Sequence, residues 1–345
     1  MMETIVNDFV KAILLPSTYT IESEWQNQTE YDVESVFDVE SVFAVVNSSK
    51  FRRTKMTEES EIDVKQKIKA AITNKKKIAF SLPFGAYKAW QLDSDFQPDW
   101  AEVFTVSYLL RYAKQIIEVY PLGVEFNFTF TDDLMYFVSD FPREKAKAYT
   151  VVFEELLAFF NSFDKRVHFN LVRINDLYES QEDFYIDFLR QYLDNLVHWD
   201  TKYDTVTKDR HLNSSHHNLF PFGERNIGNL LEDERERFFY HSALMTDAVD
   251  CLRERRKFNK GADKIQIVFV RGPTKCIHLG SCDMASVHFW VGKGVLQENK
   301  GKLLTSILTW SRYGQLMPEQ KSDFRIKSPL SELSNNYEKI ILIKE

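Results

Sequence analysis

Charged side chains follow several strongly apolar stretches of this sequence, at the points where those stretches end. The stretches predict buried parallel strands, and open parallel sheets bind ligands in the crevice outside the carboxyl ends of their strands. A crevice that combines cationic groups with carboxylates can bind a zwitterion such as an amino acid, or a phosphate beside an amine. The side chains that we expect to line this edge are Tyr87, Lys88, Asp132, Asp133, Asp176 and Arg271.

Four of these residues have distinct expected roles. Lys88 comes straight after a strand and Gly-Ala, so we expect it to meet an anion, although a solvated lysine is the simpler alternative. Asp132 is suited to bind a substrate amine, while its neighbour Asp133 can cap the next turn. Arg271 precedes Gly-Pro, so it either closes a turn or binds a phosphate or carboxylate.

Asp99 and Glu102 follow Pro98 at the predicted start of a helix. Proline is well placed just before a helix, and carboxylates stabilise the positive end of the helix dipole. A structural role therefore explains both acidic residues adequately.

The histidines and glycines elsewhere form no recognisable metal or nucleotide motif. His211, His216 and His217 lie in a polar stretch at about 200–229, and their spacing matches no zinc motif. Gly292-Lys293-Gly294 lacks the spacing of a phosphate-binding loop, and we interpret it as a turn. The sequence therefore predicts no metal site.

The elements that must position these residues alternate regularly from about residue 61. Because parallel strands need a crossover connection, the alternation predicts a Rossmann-like α/β fold, with a mostly parallel sheet flanked by helices. The predicted strands are KKKIAFSLPF, Val124–Phe130, Val167–Ile174 and Lys264–Val270, and the helices between them are Asp99–Tyr120, Arg143–Phe163, Phe184–Trp199 and a charged helix at Leu230–Phe258.

The two ends of the chain depart from this pattern. Residues 1–60 are predicted to form an N-terminal helix and a variable acidic segment, and residues 61–345 a single domain with a long loop at about 200–229. Antiparallel strands are expected near the C-terminus: Cys276–Gly280 and Val287–Val291 predict a hairpin or antiparallel edge, and Tyr337–Ile343 a last strand. Lys302–Tyr313 fits either a helix or a strand.

Composition narrows the class of protein. The 345 residues are 44% hydrophobic, which is enough for a sizeable core, and the formal charge of −7 argues against a general electrostatic grip on nucleic acid. Three cysteines without a CxxC pair suggest neither a disulfide framework nor a cysteine zinc site. With no signal peptide or membrane-spanning stretch apparent, we expect a soluble, cytoplasmic protein.

The stretch from Ile78 to Asp140 resembles the pyoverdine/dityrosine biosynthesis family of isocyanide synthases. The resemblance rests on a strand with Pro83-Phe84, then Lys88, Pro98-Asp99-x-x-Glu102, a long helix to Tyr120-Pro121-x-Gly123, and an apolar strand ending in Thr131-Asp132-Asp133. It places Lys88, Asp99, Glu102 and Asp132 at the family's motif positions. The chain differs from the family pattern after Lys88, where Ala89 and Trp90 follow and no second lysine precedes Pro98.

The resemblance implies a Rossmann-like enzyme that converts an amino acid's amine to an isocyanide, with carbon from ribulose 5-phosphate and without a cofactor. Lys88 and Arg271 would hold the sugar phosphate and Asp132 the substrate ammonium, with Asp99 among the substrate-binding residues. Glu102 or a loop histidine would move protons.

Two other functions remain open at this stage. One is a cyclodipeptide-synthase-like transfer from aminoacyl-tRNA, for which Arg253–Lys260 is the best candidate docking face. The other is a non-catalytic binding protein that keeps the fold. The sequence does not determine the oligomeric state or the amino acid substrate.

Overall fold

A parallel sheet of five strands forms the centre of the computed structural model. The structure describes residues 2–14, 37–84, 97–130, 142–173, 178–198, 201, 203–209, 212, 229, 231–239, 264–269, 276–280, 292–308 and 310–344. The five strands are β1 (Ile78–Phe84), β2 (Val124–Phe130), β3 (Val167–Arg173), β4 (Ile265–Val268) and β5 (Ile277–His278). Their order in the sheet is β3-β2-β1-β4-β5.

Helices lie before and between these strands, as the alternation predicted. They are α1 (Met2–Leu14), α2 (Val39–Val46), α3 (Glu58–Thr73), α4 (Trp100–Val119), α5 (Arg143–Asn161), α6 (Gln181–Val197), α7 (Glu232–Phe239) and, near the C-terminus, α8 (Trp310–Gln315). The Rossmann-like α/β fold is therefore confirmed. The predicted helix Leu230–Phe258 is helical at α7, and its remainder from residue 240 lies outside the described residues.

The two faces of the parallel sheet differ in chemistry. On one face the rings of Phe80, Phe126 and Phe169 stack across β1, β2 and β3, with centroids 5.1 Å and 5.3 Å apart. Tyr112 of α4 packs against Phe80 on this face, so apolar contacts hold the helix to the sheet. The opposite face carries polar side chains, among them Ser81 and Asn127, at the alternate strand positions.

A second sheet forms from the C-terminal part of the chain. Its strands are β6 (Lys293–Asn299), β7 (Lys302–Leu308), β8 (Lys321–Arg325) and β9 (Lys339–Lys344), in the order β7-β6-β9-β8. Two pairs, β6 with β7 and β8 with β9, are antiparallel, which confirms the expectation of antiparallel strands near the C-terminus, whereas β6 and β9 are parallel. The sequence analysis did not indicate β6 or β8 themselves. The stretch Lys302–Tyr313, which fitted either a helix or a strand, contains β7 and the beginning of α8.

The predicted hairpin or antiparallel edge at Cys276–Gly280 is wrong. The strand there is β5, which runs parallel to β4 and extends the first sheet, with Ile267 beside Ile277. A strand of two residues carries no directional signal of its own, so its partner decides its orientation. The second half of that prediction, Val287–Val291, lies outside the described residues.

The N-terminal helix packs into the same core as the parallel sheet. Val6 and Val10 of α1 are fully buried in the hydrophobic cluster that also contains the strands. The Asn7 side chain donates to the Arg325 carbonyl at 3.1 Å and accepts from the Lys327 amide at 3.1 Å. The predicted division of the chain at residue 60 stays a prediction.

No helix in the described part of the chain is both long enough and apolar enough to cross a bilayer.

Gly123 allows β2 to begin beside β3, and replacing it should be costly. Its φ is +98°, and an added Cβ would lie 2.1 Å from the Arg166 carbonyl oxygen. We expect Gly123→Ala to lower the free energy of unfolding by more than about 2 kcal/mol, because backbone strain and a clash with main chain add together. Urea unfolding measures this loss.

Gly301 provides the matched control, since its φ is +76° but no atom of the described residues lies within 4 Å of an added Cβ. Gly301→Ala should cost only the conformational strain, about 1 kcal/mol. Equal losses in the two variants would show that the close approach at Gly123 does not matter.

Candidate functional site

The order of the parallel strands defines one expected ligand-binding edge. The chain adds β2 and β3 on one side of β1, then reverses and adds β4 and β5 on the other side. Ligands of open α/β sheets bind outside the carboxyl ends of the strands at such a reversal. Here that point lies between β1 and β4, where Phe80 pairs with Ile265 and Ser81 with Gln266.

Most of the predicted site residues belong to the connections that leave this edge. The strands that precede them, β3, β2, β1 and β4, are neighbours, so the connections start side by side. The residues themselves lie outside the described part of the chain, and their roles stay predictions: Tyr87 and Lys88 after β1, Asp132 and Asp133 after β2, Asp176 after β3, and Arg271 after β4.

Asp99 and Glu102 are described, and they form a reciprocal cap at the start of α4. The Asp99 carboxylate accepts from the Ala101 amide at 2.7 Å, while Glu102 Oε2 accepts from the Asp99 amide at 2.7 Å. Both side chains are buried, with exposed fractions of 2% and 0%. The capping role that the sequence predicted is confirmed, and their direct roles in substrate binding and catalysis stay predictions.

Tyr149 of α5 connects this cap to the end of β1. Its hydroxyl donates to Glu102 Oε1 at 2.6 Å, and its ring lies 6.1 Å from that of Phe84, the last residue of β1. Burial, followed by the nearby Glu102 carboxylate, raises the pKa of Tyr149 well above its usual value, so the hydroxyl stays protonated and donates. Both ends of the connection that carries Lys88 are therefore held against α5.

Lys293 and Gly294 of β6 contact the same cap, and together with Asp99, Glu102 and Tyr149 they form one cluster at the start of α4. Lys293 Nζ lies 3.3 Å from Asp99 Oδ2, and the Gly294 amide donates to Asp99 Oδ1 at 3.3 Å. A Cβ on Gly294 would lie 2.2 Å from the Ala101 nitrogen, so only glycine allows β6 this close to α4. Interpreting these two residues as a turn was wrong, since they begin a strand.

Arg173 is a second residue that the sequence analysis missed. It is the last residue of β3, and its Nη2 donates to Thr150 Oγ1 of α5 at 3.2 Å. Among the described residues, no carboxylate pairs with this partly buried guanidinium. The only signal for it was its place at the end of an apolar strand, one residue before the predicted strand end.

Within the described residues, neither a metal-binding cluster nor a reactive cysteine offers an alternative centre. No cluster of three or more histidine, cysteine, aspartate or glutamate side chains there could hold a metal ion. Burial raises the pKa of the Cys276 thiol to about 12, so this cysteine is not a thiolate nucleophile at neutral pH.

Removing the Tyr149 hydroxyl, which donates to Glu102, should destabilise the fold far more than removing the hydroxyl of the equally buried Tyr337 nearby. We expect Tyr149→Phe to lower the free energy of unfolding by about 2–3 kcal/mol, because it leaves a buried carboxylate oxygen without its donor. The Tyr337 hydroxyl has no hydrogen-bond partner in the described part of the chain, so Tyr337→Phe should be neutral or slightly stabilising. Urea unfolding of both variants gives the comparison, and a similar cost for the two would contradict it.

Comparison with known proteins supports the fold rather than an activity. No protein-family model matches the sequence, and no curated protein matches it significantly. Two solved structures, a CDPS from Fluoribacter dumoffii and the tyrosyl-tRNA synthetase from Aeropyrum pernix, each match with a TM-score of 0.30, which is too low to support an argument. Their identities are 14% and 13%, over 57% and 69% of this chain and 78% and 54% of theirs.

A third solved structure matches nearly the whole chain. PvcA from Pseudomonas aeruginosa superimposes with a TM-score of 0.61 at 16% identity, over 88% of this chain and 99% of that chain. The likeness at this identity concerns the fold. In its fold, therefore, the chain shows the distant resemblance to the pyoverdine/dityrosine biosynthesis family that its motifs predicted.

Proposed function

We propose that this protein is a biosynthetic enzyme of the isocyanide synthase type. It converts the amine of an amino acid to an isocyanide and takes the carbon from a sugar phosphate, ribulose 5-phosphate. The observation that supports this best is the PvcA-like fold over 88% of the chain. The Pro98-Asp99-x-x-Glu102 motif lies at the start of the helix that follows β1, which agrees with the same family.

The substrate site in this proposal is the edge of the sheet at β2, β1 and β4. Lys88 and Arg271 follow the two strands that flank the reversal of strand order, so both cations can reach one phosphate. Asp132 follows the neighbouring β2 and binds the substrate ammonium. Tyr87, Asp133 and Asp176 line the same crevice.

Arg173 adds a cation at the end of β3. Because Thr150 fixes one nitrogen of its guanidinium, the remaining N–H groups are available to a carboxylate or phosphate. We assign it to the carboxylate of the amino acid, on the side of β2 away from Lys88 and Arg271. This arrangement places the ammonium at Asp132, between the two anionic groups.

The first chemical step is the condensation of the amine with the ketone. The ammonium first gives up one proton, and the free amine nitrogen then bonds to the carbonyl carbon. The two protons left on nitrogen are transferred to the carbonyl oxygen, which leaves as water and gives an imine. Glu102 is fully buried and accepts hydrogen bonds through both oxygens, so we assign it the anchoring of α4. A histidine among His211, His216 and His217 moves the protons.

An activity assay tests the proposal directly. Purified protein is incubated with a panel of amino acids and ribulose 5-phosphate, and the products are searched for isocyanides by mass spectrometry. We expect a product that requires both substrates. Lys88→Ala and Arg271→Ala should each raise the KM for the sugar phosphate about tenfold or more, because each removes a charged hydrogen bond to phosphate.

The matched controls are Lys302→Ala and Arg325→Ala, which remove exposed cations from the second sheet and should leave both kinetic constants unchanged. Absence of any product that depends on the sugar phosphate across the panel would refute the proposal. Copurified tRNA in that case would favour aminoacyl transfer, and a protein that binds amino acids without turnover would favour a binding role.

A further inference from the structure

Four neighbouring strands place a polar side chain at the same level on one face of the parallel sheet. The pairing aligns Gln266 with Ser81, Ser81 with Asn127, and Asn127 with Asn170. We call these four residues the polar row. They lie on the face opposite the stacked phenylalanines, because side chains alternate along each strand.

A polar row is unusual in this kind of sheet. Parallel sheets in α/β proteins are covered on both faces, and their strands are normally apolar throughout. Burying amides and hydroxyls costs free energy unless each finds a partner. The polar side chains on these four strands therefore need hydrogen-bond partners, which the protein supplies in part and a ligand can complete.

Hydrogen bonds within the row use only part of its capacity. Asn127 donates to the Phe80 carbonyl at 3.1 Å and to Glu125 Oε1 at 2.8 Å, while Asn170 donates to Asn127 Oδ1 at 3.3 Å. Asn127 is thus fixed in place by the sheet itself. The Ser81 hydroxyl pairs with Thr129 Oγ1 at 3.2 Å.

The rest of the row remains available to a ligand. In the described part of the chain, the Gln266 carboxamide has no hydrogen-bond partner, and Asn170 has its side-chain oxygen free. Gln266, Ser81 and Asn170 are each partly accessible, so a small molecule can approach them. Neutral amide and hydroxyl groups that donate and accept suit a ligand with several hydroxyl groups.

We propose that the polar row binds the hydroxyl groups of a phosphorylated sugar. This inference rests on the proposed function for the identity of the sugar, but the row argues for the hydroxylated class independently. Gln266 lies two residues before the end of β4, about 7 Å below the carboxyl edge of the sheet. A five-carbon chain reaches from a phosphate at that edge down to Gln266 and Ser81.

Nearby charges orient the ligand. Glu125 lies on the same face, two residues further from the carboxyl edge than Asn127, and the exposed His168 is its neighbour on β3. The Glu125 carboxylate accepts from hydroxyl groups and repels phosphate. The phosphate therefore points towards the edge from which Lys88 and Arg271 leave, and the hydroxyl groups point towards the row.

Calorimetric titration tests the inference with the full chain. The ligands are ribulose 5-phosphate, ribose 5-phosphate, glucose 6-phosphate and inorganic phosphate, and the variants are Gln266→Leu and Ser81→Ala. We expect the wild type to bind at least one sugar phosphate. Each variant should raise the Kd of that sugar about fivefold or more, with the Kd of inorganic phosphate unchanged, because each removes hydrogen bonds to hydroxyl groups only.

Gln297→Leu is the matched control, since it makes the same replacement at a partly exposed position of β6 in the second sheet. Thermal unfolding of all variants establishes that they fold. A Gln266→Leu protein that folds and binds sugar phosphates like the wild type overturns the inference, as does a wild type that binds none of the sugars.

The two proposals fail in different ways. If Gln266→Leu and Ser81→Ala both form the isocyanide with an unchanged KM for the sugar, the proposed function is supported and the role of the polar row is refuted. If sugar binding depends on Gln266 but no isocyanide forms, the role of the polar row is supported and the proposed reaction is refuted.

Discussion

The start of α4 is held by two buried carboxylates that accept hydrogen bonds from α4 itself, from α5 and from β6. Asp99 and Glu102 cap their own helix, Tyr149 brings α5 to the same point, and Gly294 brings in the first strand of the second sheet. Buried charges are costly unless they are paired and fully bonded, so this cluster fixes the relative positions of the elements that supply the partners. The connection after β1 therefore ends at a fixed point, Asp99.

The cluster at the start of α4 has a structural role, whereas the proposed ligand site lies at the carboxyl edge of the sheet. Apolar contacts on the aromatic face hold α4 and α5 to the sheet, and the opposite face carries amides and hydroxyls. In the proposed function, the carboxyl edge receives its charged groups from connections that start at adjacent strands. A ligand at that edge would have charged groups beside the end that lies at the carboxyl edge, and the neutral amides and hydroxyls of the polar row beside its other end. This arrangement suits a sugar phosphate.

Local patterns in the sequence predicted much of this architecture. Alternation gave the first four parallel strands, and Pro98-Asp99-x-x-Glu102 located the start of α4 because a capping box involves residues that are close in sequence. The contacts of Lys293 and Gly294 could not be predicted, since Asp99 and Gly294 are 195 residues apart and only the fold brings them together. The polar row was hidden for the same reason: each of its members is an isolated polar residue in its own strand, and only the strand register aligns them. Arg173 was missed because the predicted strand ran one residue further, to Ile174, so that Arg173 was placed within the strand and not at its end.

The distance along the chain between Asp99 and β6 also bears on how the protein is made. The ribosome releases the start of α4 long before Lys293 and Gly294 exist, so the Asp99 carboxylate must remain hydrated or pair elsewhere in the growing chain. Contacts between such distant segments form late in folding and slow it. The contacts at the start of α4 are therefore completed only when nearly the whole polypeptide has been synthesised. A fragment that ends before β6 would contain every strand of the parallel sheet and still lack the partners that β6 supplies to Asp99.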